Sequence, residues 1–209
     1  SGPGLALMSE TLGLAVAAEI PAVIINVMRG GPSTGIPTKS EQSDLNIALY
    51  GLHGDAPHLV LAPSSVSDCL AVTQWAVQLA EALQCPAIVL SDQFLGQSQT
   101  VCDRLPIAGD GESLRLTAKI VTNYYDRYAV TADGVSPMSL PGTPGGQYTA
   151  DGLEHNVRGV PSSRATDHQS QLDKRRDKLL RYDYGPIWAE VEGDGEAAVL
   201  TWGSTAAPV

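Results

Sequence analysis

Charge is scarce in this chain. Only 17% of its 209 residues are charged, and they sum to −10. No basic stripe accompanies that sum, which argues against nonspecific binding to nucleic acid or to an anionic membrane. Small anionic ligands stay open, because a few arginines or backbone N–H groups can hold those. Cysteine is scarce too. The three, at 69, 85 and 102, form no Cys-x-x-Cys pair. That spacing argues against a disulfide scaffold or a zinc site, and predicts buried or half-buried thiols in a reducing cytosol. The four histidines, at 53, 58, 155 and 168, lie far apart with no His-x-x-x-His pair, so no metal site is expected from them. His53 is the one nearest an expected ligand end, and a surface loop histidine is its simpler reading. No run reaches the roughly 18 apolar residues of a membrane span, because Glu10 and Glu19 interrupt the N-terminal helix. No signal peptide is visible.

Three motifs are missing as well. Gly30-x-x-x-x-Gly35 has the glycine spacing of a nucleotide P-loop, but Ile36-Pro37 stands where Lys and Ser or Thr are needed. Lys39 comes three residues too late, and Pro37 cannot donate a backbone N–H. No Gly-x-Gly-x-x-Gly follows a strand, which leaves a nicotinamide site without support. No Gly-x-Ser-x-Gly elbow anchors a hydrolase triad.

What is present is a core. Hydrophobic residues make up 43% of the chain, beside 21 Gly and 14 Pro. That is enough for one full core, or one plus part of another, in a loop-rich α/β enzyme subunit. Residues 5–19 put Leu5, Met8, Leu12, Ala15 and Val16 on one helical face, and Pro21 stops that helix. Ala22–Met28 reads as a strand covered on both faces. A second helix is predicted over 39–52, with Leu45, Ala48, Leu49 and Leu52 inward. Residues 58–62 read as a short strand. Ser65-Val66-Ser67-Asp68 resembles a capping box and opens a helix to about Leu83, with Cys69, Val72, Ala76, Leu79 and Leu83 as its core face. Residues 86–90 form a third buried strand, and 91–102 a short irregular helix. Strand, helix, strand, helix, strand predicts an α/β fold with a doubly wound parallel sheet.

From 103 the texture changes. Gly, Pro, Ser, Thr and Asp dominate to 167, with short Val/Tyr runs such as 120–125, and Pro141-Gly142-Thr143-Pro144-Gly145-Gly146 is almost all turn formers. This predicts an extended connector lying against its own or a neighbouring domain. Tyr124, Tyr125 and Tyr128 argue for packing. Residues 168–182, with Lys174, Arg175, Arg176 and Lys178, read as a charged helix that is solvated or interdomain. A second α/β domain is expected to begin at about Trp188. Residues 197–201 look like its first strand, and Trp202-Gly203-Ser204-Thr205 like a strand-to-helix turn. The boundaries are then 1–107 for the first domain, 108–187 for the connector with its helix, and 188–209 for the start of the second. With no initiator Met and no helix after Val209, the expectation is a piece of a longer chain.

The candidate site follows the first strand. Arg29-Gly30-Gly31-Pro32-Ser33-Thr34-Gly35 places a guanidinium and a glycine-rich turn where open α/β sheets bind ligands. Arginine offers a planar fork for a carboxylate or phosphate, and the glycines let backbone N–H groups approach an anion. Arg29 is either that ligand group, or it caps loop carbonyls or pairs with Glu41 or Asp44. Thr38 either presents a hydroxyl to the same site or makes local backbone bonds. Glu41 and Asp44, one helical turn apart, either orient Arg29 or simply open a helix at the end where acids are favoured.

Four segments together resemble the α subunit of 2-oxoacid:ferredoxin oxidoreductases, in particular the 2-oxoglutarate synthase branch. They are Ser1-Gly2-Pro3-Gly4-Leu5-Ala6-Leu7-Met8, the stretch from Arg29 through Asp44, the connector pieces Gly134-Val135-Ser136-Pro137, Pro141 to Gly146 and Gly152-Leu153-Glu154-His155, and Thr201-Trp202-Gly203-Ser204-Thr205. The resemblance implies the pyrimidine-binding part of a thiamine diphosphate-binding fold. Thiamine diphosphate with magnesium would be shared with a β subunit, which holds the diphosphate and magnesium ligands. An iron–sulfur cluster elsewhere in the complex would pass electrons to ferredoxin, and coenzyme A would take the acyl group from a 2-oxoacid, with 2-oxoglutarate first among the candidates. By the same resemblance Arg29 would grip the substrate carboxylate and Thr38 would line the pocket. Ser1 and Gly2 would lie at the aminopyrimidine edge. No catalytic residue and no metal ligand falls within 1–209, so this stretch alone would be inert, and the location would be cytoplasmic. Two other readings are a thiamine-dependent decarboxylase or carboligase, which shares only the first turn, and a noncatalytic anion-binding module.

Overall fold

A computed structural model describes residues 1–103, 114–119 and 124–208. Its centre is a three-stranded, fully parallel sheet of order β1 (Ala22–Met28), β3 (Pro86–Asp92), β2 (Leu59–Leu61). The register pairs Ala22 with Pro86 and Met28 with Asp92, and on the other side Leu59 with Ala87. Helices α1 (Gly2–Leu7), α2 (Ser9–Ala17) and α3 (Leu45–Tyr50) lie toward one face, α4 (Asp68–Leu83) toward the other, and α5 (Gln93–Gln97) follows β3. The two faces can be read from the pleat. Ile24, Met28, Ile88 and Leu90 join Leu5, Leu12 and Ala48 in one core cluster. Val23, Ala87 and Val89 meet Ala76 and Ala80 of α4 in another. Alternate residues of β1 and β3 thus serve opposite layers, as a doubly wound sheet requires.

Several sequence expectations shift. The N-terminal helix breaks at Met8 (φ −99°, ψ 0°) into α1 and α2, which leaves Met8 largely outside the core. Coverage of β1 is incomplete: α4 reaches Val23 but leaves Ile25 56% exposed. The predicted helix over 39–52 shrinks to Leu45–Tyr50 with Leu49 facing out, because residues 41–44 spend their polar groups on a loop. The expected capping box is met in one arm: Ser65 Oγ accepts from the Asp68 N–H at 3.1 Å, but Asp68 reaches the Ser64 N–H at 2.8 Å and not that of Ser65. Cys85 is buried and its thiol is pushed up to about 11 by desolvation, and Cys69 is half-buried, but Cys102 is exposed rather than covered. Residues 197–201 are coil, exposed up to Leu200, and not a strand, since no strand of the described residues pairs with them.

The largest difference is the charged helix, α6 (Ala165–Arg181). Gln171, Lys174, Arg175 and Lys178 form a buried face, not a solvated one. The reason lies at the ends of α2 and α4. Helix α2 finishes in a Schellman motif, Ile20 N–H to Ala15 O at 2.9 Å and Glu19 N–H to Val16 O at 3.3 Å. Its left-handed position, φ +51°, is filled by Glu19 where glycine is usual. Helix α4 likewise ends on a left-handed Gln84, φ +48°. Both polar side chains are fully buried, two residues before a proline that leads into a strand.

Helix α6 lies across these two junctions. Lys174 Nζ meets Glu19 Oε1 at 2.5 Å, and Lys178 Nζ meets Glu19 Oε2 at 2.8 Å and Gln84 O at 3.0 Å. From the connector, Arg127 donates to Glu19 O at 2.9 Å and His155 Nε2 faces Ala17 O at 3.1 Å. Orphan carbonyls at helix C-termini are natural partners for cations. The connector packs on its own domain, one of the two placements the sequence leaves open. Tyr128 is fully buried against His155, and Tyr125 Oη bridges Pro137 O and Ser139 N, each at 2.7 Å. Tyr124 is exposed with Arg158 over its ring. Residues 120–123 of the Val/Tyr run lie outside the described residues. This strap holds the amino ends of the strands and leaves their carboxyl ends to the site.

Candidate active site

At the carboxyl end of β1, Arg29 is half-buried and its Nε is shielded from solvent with no hydrogen-bond partner. No ion pair joins Arg29 to Glu41 or Asp44 among the described residues. The loop after it closes on itself: Ile36 N–H bonds Gly30 O at 2.9 Å, and Gly30 N–H bonds Lys39 O at 3.2 Å. Gly35 has φ +61°, and a Cβ there would collide with the carbonyl of Gly30, so only glycine fits. Ser33 and Thr38 also adopt positive φ, at +57° and +61°. Thr38 is exposed on the rim of this loop.

The four residues 41–44 work as a clasp, each on a different neighbour. Glu41 Oε2 accepts from the Gly31 N–H at 3.2 Å. Gln42 Nε2 donates to Trp202 O at 2.8 Å. Ser43 Oγ donates to Arg29 O at 3.2 Å. Asp44, buried, accepts from Asn26 Nδ2 at 2.9 Å. Neither sequence alternative for the two acids is sufficient. Asp44 does precede α3, but its carboxylate makes no cap bond and is spent on β1. Glu41 steadies the backbone of the Arg29 loop, and in doing so occupies the Gly31 N–H that the glycine-rich turn would otherwise offer an anion. The unpartnered donor at this end of the sheet is then the Arg29 Nε and not the Gly31 N–H.

Ser1 and Gly2 sit at the start of α1. The Ser1 side chain makes no capping bond, and Gly2 lies so close to Asp44 that a Cβ would strike the carboxylate. Asn26 and Asp44 thereby bring the Ser1–Gly2 turn, β1 and the Arg29 loop together. Sequence reasoning missed Asn26, although a lone amide inside an apolar strand is a legible signal of a buried hydrogen bond. It missed Asp92 too. That carboxylate, buried at the end of β3, caps α5 through the Leu95 N–H at 3.0 Å and accepts from Ser204 Oγ. The histidines do not converge. His53 is exposed beside Glu10, His58 bonds the carbonyls of Ala56 and Ala48, and His155 and His168 belong to the strap. Among the described residues no group of three or more His, Cys, Asp or Glu could hold a metal ion.

Comparison with known proteins places the fold in a family. The family described as "Pyruvate flavodoxin/ferredoxin oxidoreductase, thiamine diP-bdg" matches residues 1–174. The chain is 37% identical over 214 residues to the 2-oxoglutarate oxidoreductase subunit KorA of Mycobacterium tuberculosis, covering 100% of this chain and 32% of that one. It is 35% identical over 210 residues to the 2-oxoglutarate synthase subunit KorA of Methanothermobacter thermautotrophicus, covering 98% and 54%. A solved 2-oxoglutarate:ferredoxin oxidoreductase from Magnetococcus marinus, with 2-oxoglutarate, coenzyme A and succinyl-CoA bound, superposes with a TM-score of 0.75 at 40% identity, over 98% of this chain and 36% of that one. The chain therefore spans about a third to a half of the length of the curated relatives it matches. With the parallel sheet, the Arg29 loop and a match over residues 1–174, the chain belongs to the thiamine diphosphate-binding part of the pyruvate flavodoxin/ferredoxin oxidoreductase family.

Proposed function

We propose that this chain supplies the substrate-carboxylate grip of a thiamine diphosphate-dependent 2-oxoacid:ferredoxin oxidoreductase, with 2-oxoglutarate as the favoured 2-oxoacid. The observation that carries the reading is the unpartnered, solvent-shielded Nε of Arg29 at the carboxyl end of β1. A buried donor without a partner costs about 1–3 kcal/mol. A carboxylate laid along the guanidinium removes that cost and gains a charge-assisted fork. Thr38, on the same loop, sets the rim of the pocket and influences which 2-oxoacid side chain is accepted.

The residues present fit the pyrimidine end of the cofactor. Ser1, whose hydroxyl makes no capping bond, and the Cβ-less Gly2, which lies against Asp44, offer an edge where a flat heterocycle can approach backbone. When bound, thiamine diphosphate supplies a carbon nucleophile and an electron sink for decarboxylation. This chain's part is placement. Arg29 holds the carboxylate beside the reacting carbon until it leaves as carbon dioxide, and the closed Gly30–Ile36 loop fixes where Arg29 stands. Magnesium and its ligands, the iron–sulfur cluster and the ferredoxin contact lie outside this chain in the reading, on a β subunit and the rest of the complex. Coenzyme A takes the acyl group. A cytoplasmic location is part of the same reading; no described helix is long and apolar enough to cross a membrane.

The test is Arg29→Lys in the full subunit assembled with its partner. A lysine keeps the charge but loses the planar fork. Viologen reduction with 2-oxoglutarate should fall by about 100-fold or more, equivalent to about 3 kcal/mol, while thiamine diphosphate binding persists. Unchanged turnover refutes the role of Arg29.

A further inference from the structure

The turn at 202–205 closes over the carboxyl end of the sheet and is fastened at two points. On one side Gln42 uses both ends of its amide. Nε2 donates to Trp202 O at 2.8 Å, and Oε1 accepts from Thr205 Oγ1 at 3.2 Å. Gly203, at φ +64°, presses its Cα against the same amide, where a Cβ would stand 2.7 Å from Gln42 Nε2. On the other side Ser204 Oγ donates to the buried carboxylate of Asp92. Asp92 pairs in register with Met28, the residue before Arg29. Trp202 packs on the cluster that contains Met28 and Leu5, so the turn rests on the core and not on solvent.

Gln42 has a position that matters. Its neighbour Glu41 holds the Gly31 N–H, and its other neighbour Ser43 holds Arg29 O. A displacement of Gln42 therefore bears, through its two chain neighbours, on the backbone groups on either side of Gly30 at the start of the Arg29 loop. We propose that Gln42 and Ser204 are positioning residues that couple the 202–205 turn to the Arg29 loop, so that the placement of the carboxylate-binding guanidinium depends on a segment that begins 160 positions beyond Gln42. This rests on the assignment of Arg29 to the substrate carboxylate. It adds that the turn is a fixed wall of the site, and that the site is complete only with the turn docked.

The experiment uses the full subunit with its partner, loaded with thiamine diphosphate, and reads KM and kcat for 2-oxoglutarate together with Tm. Gln42→Glu keeps the acceptor for Thr205 but cannot donate to Trp202 O. Ser204→Ala removes the bond to Asp92, and Ser204→Thr restores a hydroxyl. Gln42→Glu and Ser204→Ala should each raise KM about five- to tenfold, the weight of about one hydrogen bond, with kcat within about twofold. Ser204→Thr should bring KM back. The double variant should raise KM by less than the product of the single effects, because both act through one turn. A lowered Tm with unchanged KM makes the contacts merely structural and overturns the proposal, as do multiplicative effects. If Gln42→Glu does not fold, the Ser204→Ala and Ser204→Thr pair decides alone. Arg29→Lys in the same assay separates the two claims. If it is silent, the carboxylate assignment falls; if it abolishes turnover while Gln42→Glu and Ser204→Ala leave KM unmoved, only the coupling falls.

Discussion

Glu19 is the residue on which the strap turns, and Glu19→Gln is the sharpest test of it. The carboxylate is fully buried, and two ammonium groups, Lys174 at 2.5 Å and Lys178 at 2.8 Å, are buried with it. Burial by itself would raise the Glu19 carboxyl, but Lys178 and Lys174 outweigh it and hold the group down to about 2 from an ordinary 4.5. At about 1.4 kcal/mol per unit, that depression corresponds to about 3 kcal/mol of folding stability at neutral pH. Removing one partner of a buried pair costs about 3–5 kcal/mol by comparison with known cases. The two routes agree on about 3–5 kcal/mol for Glu19→Gln. Urea unfolding followed by tryptophan fluorescence reads it, since Trp75 packs beside the α4 end of the strap.

The acid limb gives a second readout. The unfolded chain binds a proton at Glu19 near pH 4.5, whereas the folded chain waits until about 2. Between those values the unfolded state holds more protons, so stability drops as the pH falls through that window. Glu19→Gln should lose this component of the acid limb. Glu19→Gly isolates the carboxylate from the backbone, because glycine relaxes the left-handed φ by roughly 1 kcal/mol. It should still be destabilised. Adding Lys174→Met and Lys178→Met to Glu19→Gln should recover part of the loss, since the cost lies in unpaired buried charge. A Glu19→Gln cost below about 1 kcal/mol, with an unchanged acid limb, refutes the reasoning.

Two further predictions concern the strap and the loop. Lys174 is lowered to about 8, because burial opposes its charge and the neighbouring Lys178 and Arg127 cations add to that against the pull of Glu19. The unfolded state therefore holds the extra proton above pH 8, and stability should rise from pH 8 to about 9.5; a flat or falling urea midpoint over that range contradicts it. Gly35→Ala forces a side chain into a left-handed φ and against Gly30 O. It should cost at least roughly 1–2 kcal/mol and speed hydrogen exchange at the Ile36 amide, and unchanged exchange there means that the loop does not close as described.

How much of this was legible before folding depends on whether the signal is local. The strand over Ala22–Met28, the helix from the Ser65 capping box to Leu83, and the buried β3 announce themselves by apolar period, proline punctuation and capping chemistry within a few residues. The Arg29 loop is legible too, because glycine spacing and a cation after a strand are local facts. The truncation of the second helix was not. Residues 41–44 have acceptable helix propensity, but their side chains find Gly31, Trp202, Arg29 and Asn26, partners set only by the chain path.

The charged helix shows the same limit from the other side. By composition Lys174, Arg175 and Lys178 belong on a surface, and only the meeting of α6 with a buried Glu19 reverses that. Sequence alone determined the α/β class, the parallel order of units and the place of the candidate site, since those follow from backbone period and turn chemistry. Tertiary structure decided which polar groups are buried, that the strap holds the amino ends of the strands, and that the 202–205 turn closes the carboxyl end. A buried charge or amide is tolerable only beside its partner, and Glu19 and Lys178 stand 159 positions apart.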